Sequence, residues 1–328
     1  MGEIAMRKTL KIEGKTFSLI EKLSKRETFR AHEVRQKMDR LVSFLPNARE
    51  TWKRIGVWRG LDAHRSVLPK LISATLHDGQ VVTVSHWIQG RSLKLHLDHL
   101  RGHGKDWLSL YESVRLFRGL VHGLSQLHGR RIVHGDVSTA NLILQGPRPT
   151  RLVLIDCGSI WSPEALVRLE GDGHSPLYAA PEVFARVDTH VDTLAKRLGG
   201  QSYLGDQFSA SVVLYQLLTG RLPYAGMGGK IGQASESSIP RYKHASSQFV
   251  DTGYYSRSVV KSVDALVSRG LALSPDERFV SKGSWRDAAD SAWEELQRPL
   301  RRKNGDQTWF DKPVLRGLVR WLASFHRE

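Results

Sequence analysis

The stretch HGDVSTANLIL, from His134 to Leu144, places a carboxylate, Asp136, five residues before a carboxamide, Asn141, and runs directly into apolar residues. That spacing, on a loop leading into a strand, suits metal-assisted phosphoryl transfer, because a carboxylate can accept a proton from a hydroxyl and an amide oxygen can hold a magnesium ion. The same residue types also favour ordinary turns. Other parts of the chain must decide whether this stretch is a catalytic loop or an ordinary turn.

Composition narrows the classes of protein that this sequence fits. The chain has 328 residues, 40% of them hydrophobic, which suffices for one large domain or for two smaller ones that share a cleft. The single cysteine, Cys157, excludes a disulfide framework and a cysteine zinc site. The N-terminus lacks a signal-peptide core and no apolar stretch has the length of a membrane span, so we expect a cytoplasmic protein.

The charge of the chain indicates a basic surface. The net charge is +16 and the pI is about 10.1, and such a surface attracts nucleic acid, acidic partners or anionic membranes. The sequence has no zinc-finger spacing and no aromatic-interleaved basic motif, so no specific nucleic-acid interface is predicted. A solvated basic surface without a dedicated partner is the alternative.

Apolar spacing divides the chain into a sheet-rich part and a larger helical part. Residues 8–45 and the run QVVTVSHWI have the partly alternating apolar residues of strands, and NARETWKRIGVWRGL predicts a helix capped by Asn47. Apolar residues then recur at helical spacing along SLYESVRLFRGLVHGLSQLHG and along three later segments. The junction falls at WIQGRS, from Trp87 to Ser92.

Further motifs follow the first stretch in order. Asp156 ends an apolar strand in DCG, fifteen residues beyond the amide of the first stretch, and APE, Ala180 to Glu182, comes next. The helix DQFSASVVLYQLLTG begins with the acid Asp206, and SPDERF supplies Arg278. Five motifs in this order resemble the eukaryotic-type protein kinase fold, and they favour a kinase-like protein over a simple turn.

The resemblance implies an α+β, bilobal fold that uses ATP and Mg²⁺ and that acts on a protein substrate or binds a partner protein. It assigns residues 1–16 to an N-terminal extension, 17–88 to a sheet-rich N-lobe, 89–296 to a helical C-lobe and 297–328 to a basic tail. The tail predicts an amphipathic helix after Pro313. This helix either packs on the C-lobe or, with the basic N-lobe, makes weak contacts with a membrane surface or an acidic partner.

The resemblance also implies roles for the motif residues. Asp136 is expected to accept the proton of the substrate hydroxyl, and Asn141 and Asp156 are expected to hold the metal. The remaining motif residues are expected to be structural: His134, Glu182, Asp206 and Arg278. In this family the arginine pairs with the acid of APE, the acid of the later helix anchors the catalytic loop, and a segment such as SPLYAAPE receives a peptide substrate.

The phosphate-binding part of the N-lobe departs from the family pattern. A glycine-rich turn lets backbone N–H groups approach phosphates, but the corresponding turn LSKRET, Leu23 to Thr28, contains no glycine. The third-strand lysine position falls near Ser43, and its helix partner, normally glutamate, falls near Arg54. Arg26 aligns with the place where the with-no-lysine kinases carry a relocated lysine. Arg26 and Arg54 are therefore the expected phosphate contacts, with a solvated surface arginine as the alternative for each.

The catalytic loop differs from the family as well, since Ser138 stands at its lysine position and Gly135 at its arginine position. Three functions remain open. The first is an ATP- and Mg²⁺-dependent Ser/Thr protein kinase with rearranged phosphate contacts, and the second is a catalytically silent pseudokinase that acts as a binding module. The third is a small-molecule kinase of the aminoglycoside phosphotransferase type, which shares the HGD motif. The intact acid–amide–acid set favours the first.

Overall fold

The structure of the chain is a computed structural model. It describes residues 9–23, 27–61, 68–105, 108–145, 151–157, 160, 175, 177–184, 203–224 and 255–297. Arg26, the centre of the LSKRET turn and the basic tail beyond Gln297 lie outside these residues, so the predicted tail helix does too.

The N-terminal part is an antiparallel sheet of six strands in the order β1-β2-β3-β4-β6-β5. Its strands are β1 (Thr9–Ile12), β2 (Lys15–Lys22), β3 (Thr28–Glu33), β4 (Met38–Pro46), β5 (Leu71–His77) and β6 (Gln80–His86). Strand β1 lies inside the segment expected as an N-terminal extension, yet it pairs with β2 from Thr9 opposite Ser18 to Ile12 opposite Lys15. The sheet therefore begins before residue 17.

The two faces of this sheet bury different neighbours, because successive residues of a strand point to opposite sides. One face carries an apolar cluster of strand residues, in which Val42 is fully buried. Helix α1 (Arg49–Arg59) packs on the other face, where Ile55 joins a cluster that includes Leu45. Ser43 lies two residues before Leu45 on β4 and so shares the face that α1 covers.

The start of α1 differs from the prediction that Asn47 caps it. The N-cap residue is Ala48, which makes no side-chain cap hydrogen bond. Asn47 precedes the cap, and its Oδ1 accepts a hydrogen bond from the indole Nε1 of Trp52 at 3.1 Å. The predicted cap is therefore wrong, because this asparagine holds a side chain of the next turn and not a backbone amide.

The connection from the sheet to the helical part passes close to another strand. A Cβ atom at Gly90 would lie 2.2 Å from the carbonyl oxygen of Leu144, so only glycine allows this approach. Strand β7 (Arg91–Ser92) and helix α2 (Leu93–Gly102) follow. The serine that ends β7 caps α2 by accepting a hydrogen bond from the Leu95 amide at 3.2 Å.

The helical part is built around helices that each bury at least one face. They are α3 (Leu110–Gly129), α5 (Tyr203–Thr219), α6 (Arg257–Gly270) and α7 (Lys282–Gln297), with the short α4 (Pro181–Phe184) before them. The apolar stripe predicted on α3 is buried from Val114 to Leu127. Trp285 of α7 packs edge-on against Phe117 of α3, with ring centroids 6.2 Å apart.

Strand β7 pairs with β8 (Leu142–Gln145), and β8 pairs with β9 (Arg151–Leu154), so these three strands form a second, small sheet. The predicted α+β fold, with a sheet-rich N-terminal part and a helical C-terminal part, is confirmed. The division at residues 88 and 89 stays a prediction. No helix among the described residues is long and apolar enough to cross a bilayer.

Candidate active site

The loop from His134 to Asn141 is anchored by the buried carboxylate of Asp206 on α5. Asp206 Oδ2 accepts a hydrogen bond from the His134 amide, and Oδ1 accepts one from the Gly135 amide, both at 2.9 Å. The ring Nε2 of His128 also lies 2.9 Å from Oδ2. Burial would raise the pKa of Asp206, but these hydrogen bonds and the neighbouring histidines hold that pKa below its ordinary value. The ionised carboxylate therefore ties the loop to the helical core.

Asp136 and Asn141 contact each other across this loop. Asn141 Nδ2 donates to the backbone oxygen of Asp136 at 3.0 Å and to its Oδ2 at 2.7 Å. Both partners are acceptors, so the amide nitrogen faces Asp136 and the amide oxygen points elsewhere. Asp136 Oδ1 accepts a hydrogen bond from the Ser175 amide at 2.7 Å. A carboxylate has about four lone-pair sites, so Asp136 retains the capacity to accept a proton from a further group.

The backbone brings Asp156, at the end of β9, to the same loop. The Ile155 amide donates to the carbonyl oxygen of Asn141 at 2.8 Å. Asp156 has a φ of +65°, a left-handed conformation that is uncommon outside glycine and that clusters at functional sites. An amide oxygen and a carboxylate are the hard oxygen ligands that Mg²⁺ takes, so this pair of side chains fits that ion.

Every N–H group of the Arg278 guanidinium has an acceptor. Nη1 and Nη2 donate to the two carboxylate oxygens of Glu182 at 2.6 and 2.9 Å. The other three N–H groups donate to the backbone oxygens of Leu204, Ala272 and Leu273. Because the arginine is fully buried and the pair is bidentate, it fastens α4, and the segment just before it, to the helical core.

Comparison with known proteins identifies this arrangement. The family model for the protein kinase domain matches residues 18–293. The chain belongs to the protein kinase family. The serine/threonine-protein kinase PknE of Mycobacterium tuberculosis is 29% identical over 220 residues, which cover 66% of this chain and 33% of PknE.

Two further kinases match a shorter region of this chain. A probable serine/threonine-protein kinase of Dictyostelium discoideum is 34% identical over 120 residues, 37% of this chain and 13% of that protein. The serine/threonine-protein kinase GIN4 of Saccharomyces cerevisiae is 31% identical over 121 residues, 37% of this chain and 10% of GIN4. The matched regions thus span a tenth to a third of these relatives, and the chain is a Ser/Thr kinase-like protein.

Two motif residues of the kinase site are packed in its interior. His134 is fully buried, and its Nδ1 lies 3.4 Å from the Asp136 amide that donates to it. Cys157 is buried directly after Asp156, and burial, reinforced by the Asp156 charge, raises the pKa of its thiol well above the usual value. Since the thiolate is the reactive form of cysteine, Cys157 is an inert core residue.

A bridge between the catalytic loop and the APE segment escaped sequence reasoning. Tyr178 Oη lies 2.7 Å from Thr139 Oγ1 and donates to Gln216 Oε1 at 2.7 Å. Burial raises the pKa of Tyr178, so its hydroxyl stays protonated and can donate. Tyr178 stands inside the quoted SPLYAAPE segment and Gln216 ten residues after the helix acid. The spacing of these three residues along the sequence gave no indication that their side chains contact one another.

Only part of the predicted phosphate-binding region lies within the described residues. Of the two predicted phosphate contacts, Arg26 lies outside the described residues and Arg54 lies half-buried on α1, next to Ile55. Ser43, at the family's lysine position, shares the sheet face that α1 covers. Its cross-strand neighbour is Thr28, so this row of the sheet contributes hydroxyls where the family has an ammonium group.

One cation on the same sheet face was not predicted. Arg30 pairs in register with Leu41, two residues before the lysine position, and so points to the same side. Its Nε and Nη2 donate to Asp39 Oδ2 at 2.8 and 2.5 Å, and its guanidinium lies 5.2 Å from the ring centroid of Trp87. The hydrogen bonds from Arg30 lower the pKa of Asp39. Arg30 is thus engaged beside the connection between the lobes.

Proposed function

We propose that the chain is a Ser/Thr protein kinase that transfers a phosphoryl group from ATP, with Mg²⁺, to the hydroxyl of a protein substrate. The observation that carries the proposal is the pair of hydrogen bonds from Asn141 Nδ2 to Asp136, because they turn the amide oxygen away from the carboxylate and leave it for a metal. When bound, ATP supplies the phosphoryl group, and Mg²⁺ neutralises the negative charge of the phosphates.

The proposed chemical role of Asp136 is that of proton acceptor. Ser175 and Asn141 each donate one hydrogen bond to its carboxylate, which holds the group in one orientation while lone pairs remain for a substrate hydroxyl. A positioned carboxylate is a suitable general base for a hydroxyl that becomes a nucleophile only as it loses its proton. Asp206 contributes indirectly by keeping the loop backbone in place.

The proposed substrate is a polypeptide and not a small molecule. The segment between Ser175 and Glu182 is tied to the catalytic loop at one end by the Ser175 amide and to the helical core at the other by Arg278. Tyr178 joins its centre to the loop and to α5. A segment held at three points beside the general base suits an extended chain, which argues against the aminoglycoside phosphotransferase alternative.

A pseudokinase is the second candidate function, and the sheet favours it. Ser43 and Thr28 occupy the row where the family has its phosphate-binding lysine, and removal of one electrostatic donor typically costs about 10²–10³-fold in rate. In this alternative the helical part serves as a docking surface. Phosphoryl transfer needs a positive charge near the phosphates. Whether Arg26 or Arg54 contacts the phosphates therefore decides between the kinase and the pseudokinase.

The test of the kinase is phosphoryl transfer from radiolabelled ATP with Mg²⁺ to a generic protein substrate. Asp136→Asn is expected to leave ATP affinity nearly unchanged and to lower turnover by about 10²–10⁴-fold, since it keeps the shape and removes the basicity. Asp156→Ala is expected to abolish the magnesium-dependent part of ATP binding in calorimetry. Asp276→Asn, an exposed acid outside the site, is the matched control and should behave like wild type.

Two results would replace the kinase with the pseudokinase. One is the absence of Mg²⁺-ATP binding at millimolar nucleotide, and the other is transfer that is equal in wild type and Asp136→Asn. Arg26→Ala and Arg54→Ala are measured alongside. A fall in both ATP affinity and rate in either variant identifies the phosphate contact, and wild-type values in both count against the predicted contacts.

A further inference from the structure

Three histidines follow one another along one side of α2. His96, His99 and His103 are three and four residues apart, and on a helix this spacing brings side chains to the same face. His96 is half-buried, whereas His99 and His103 are exposed. We call the two exposed residues the histidine pair. None of the residues proposed for phosphoryl transfer belongs to it, so the pair is separate from the candidate active site.

The two rings of the histidine pair lie next to each other. The ring centroids of His99 and His103 are 4.3 Å apart, and the ring planes are inclined by 52°. A metal ion bound to two imidazoles at about 2.0–2.1 Å from each nitrogen holds the two ring centres roughly 4.5–5 Å apart. A small rotation of two exposed side chains is therefore enough for both rings to bind one ion.

The end of α2 fixes which nitrogen of His103 can bind a metal. His103 is the C-cap residue of the helix, and its Nδ1 donates a hydrogen bond to the backbone oxygen of His99 at 2.8 Å, because a carbonyl oxygen can only accept. In the neutral ring Nε2 then carries a lone pair. Metal-binding histidines commonly donate their other N–H group to a backbone carbonyl, so His103 is oriented as such a ligand is.

The basic residue between the two histidines is directed elsewhere. Arg101 is two residues from each of them, which is about 200° around the helix. Its Nη1 donates to Asp98 Oδ1 at 3.2 Å, and its Nη2 donates to the backbone oxygen of Gly220 at 2.7 Å. These partners hold the guanidinium on the opposite side of α2, towards the end of α5.

The chemistry of the ligands selects the class of metal. Imidazole nitrogens suit Zn²⁺, Cu²⁺ and Ni²⁺, whereas Mg²⁺ and Ca²⁺ prefer oxygen ligands. No group of three metal-ligating side chains occurs in the part of the chain that the structure describes, so the histidine pair supplies two ligands and water completes the coordination. Structural zinc sites have four protein ligands, so the ion held here is expected to exchange with solvent.

We propose that the histidine pair binds one Zn²⁺ ion through Nε2 of His103 and a ring nitrogen of His99. One ligand lies in the last turn of α2 and the other directly follows the helix, so the ion holds the end of the helix together. Helix α2 contacts the short turn Thr139–Asn141, and zinc therefore stabilises an element that packs beside the candidate catalytic loop. The binding does not depend on whether the chain is an active kinase.

The test is calorimetric titration of the full chain, without a histidine tag, with Zn²⁺. The wild type should bind Zn²⁺ equally well in the presence and absence of millimolar Mg²⁺, because imidazole is a poor ligand for magnesium. Cu²⁺ serves as a paramagnetic probe of the same ligands. Its electron paramagnetic resonance spectrum should show two nitrogen ligands from imidazole.

Two variants locate the site. His99→Gln and His103→Asn should each weaken Zn²⁺ binding by at least about tenfold, since loss of a residue that merely orients a ligand already costs about 10–100-fold. The asparagine side chain can still donate to the carbonyl oxygen of His99 and suits the end of a helix, so His103→Asn should keep the stability of the metal-free chain. The matched control is His77→Gln, a partly exposed histidine on β5, which should stay within about twofold of wild type.

Thermal melts separate metal binding from helix capping. Zn²⁺ should raise the melting temperature of wild type and of His77→Gln, because a ligand of the folded chain stabilises it, and should leave both pair variants nearly unchanged. If one pair variant melts far below wild type without metal, the other variant decides, and if both do, the nitrogen count in the Cu²⁺ spectrum of the wild type decides.

Four outcomes overturn the proposal. They are no Zn²⁺ binding by the wild type, losses in the pair variants no larger than in His77→Gln, a Cu²⁺ spectrum with fewer than two nitrogen ligands, and Zn²⁺ binding that millimolar Mg²⁺ abolishes. The last result would place the ion on oxygen ligands such as Asn141 and Asp156.

Discussion

The sheet-rich and helical parts each bury an arginine–carboxylate pair, and the two pairs differ in what they join. In the helical part Arg278 meets Glu182, 96 residues away in sequence, and in the sheet Arg40 Nε meets Glu33 Oε2 at 2.9 Å, seven residues away. The side chains are 0% and 8% exposed in the first pair and 5% and 2% in the second. The two pairs are thus buried to a similar extent, and they differ in span, which is the sequence separation between the two partners. Burial sets how strongly stability depends on a pair, whereas span sets how much of the molecule depends on it.

The largest loss is expected for Arg278→Leu. It leaves Glu182 buried without its cation and removes the hydrogen-bond donors of three backbone carbonyls, so the free energy of unfolding should fall by about 3–5 kcal/mol. Urea denaturation measures the loss, and hydrogen exchange should accelerate in α4, α5 and α6. Arg278→Lys keeps the charge but not the planar fork, so it should recover only part of the stability. A loss below about 1 kcal/mol would contradict the anchoring role, since broken buried pairs cost several times more.

A loss of about 3 kcal/mol is expected for Arg40→Leu, because Glu33 then stays buried without its cation. Replacing both members, Arg40→Leu with Glu33→Leu, should restore most of the stability, since two packed apolar side chains leave no buried charge. Exchange should accelerate in β3 and β4 and stay near wild type in α5 and α6. Equally accelerated hydrogen exchange in α5 would contradict the distinction between a local and a long-range pair.

A smaller loss, about 2 kcal/mol at neutral pH, is expected for Asp206→Asn, because hydrogen bonds to a charged acceptor are worth about 1.5–3 kcal/mol. The folded-state pKa of Asp206 is lowered, so its stabilisation is present above the unfolded value of about 3.9 and is lost as the pH falls through the folded value. Acid titration of unfolding should therefore be shallower for the variant than for wild type below about pH 4. Identical acid limbs would show that the Asp206 charge does not contribute.

The smallest effect is expected for the exposed pair of Lys94 and Asp98 on α2. Their side chains are 62% and 44% exposed and their charged atoms lie 3.4 Å apart, so solvent screens the attraction and the coupling energy should not exceed about 0.5 kcal/mol. A double-mutant cycle with Lys94→Ala and Asp98→Ala measures it. A coupling above about 1 kcal/mol would contradict the rule that burial sets the strength of a charge pair.

The candidate catalytic loop could be picked out from the sequence because phosphoryl transfer restricts residue types at fixed spacing. An acid and an amide five residues apart, then a second acid after an apolar strand, indicated Asp136, Asn141 and Asp156 together, and the loop hydrogen bonds bring the first two into contact. The cap of α1 was not predictable in this way. Asn47 has the preferred residue type for a cap, but it bonds to Trp52, and that choice depends on where the indole lies.

The sequence by itself determined the two-part α+β architecture, because strand and helix periodicities are local and repeat within a few residues. Only the tertiary structure decided which side chains meet across distant segments. Tyr178 joins Thr139 to Gln216, and His122 of α3 meets Asp290 of α7. The physical reason is that such contacts depend on the packing of several elements at once. Local spacing along the sequence therefore does not predict them.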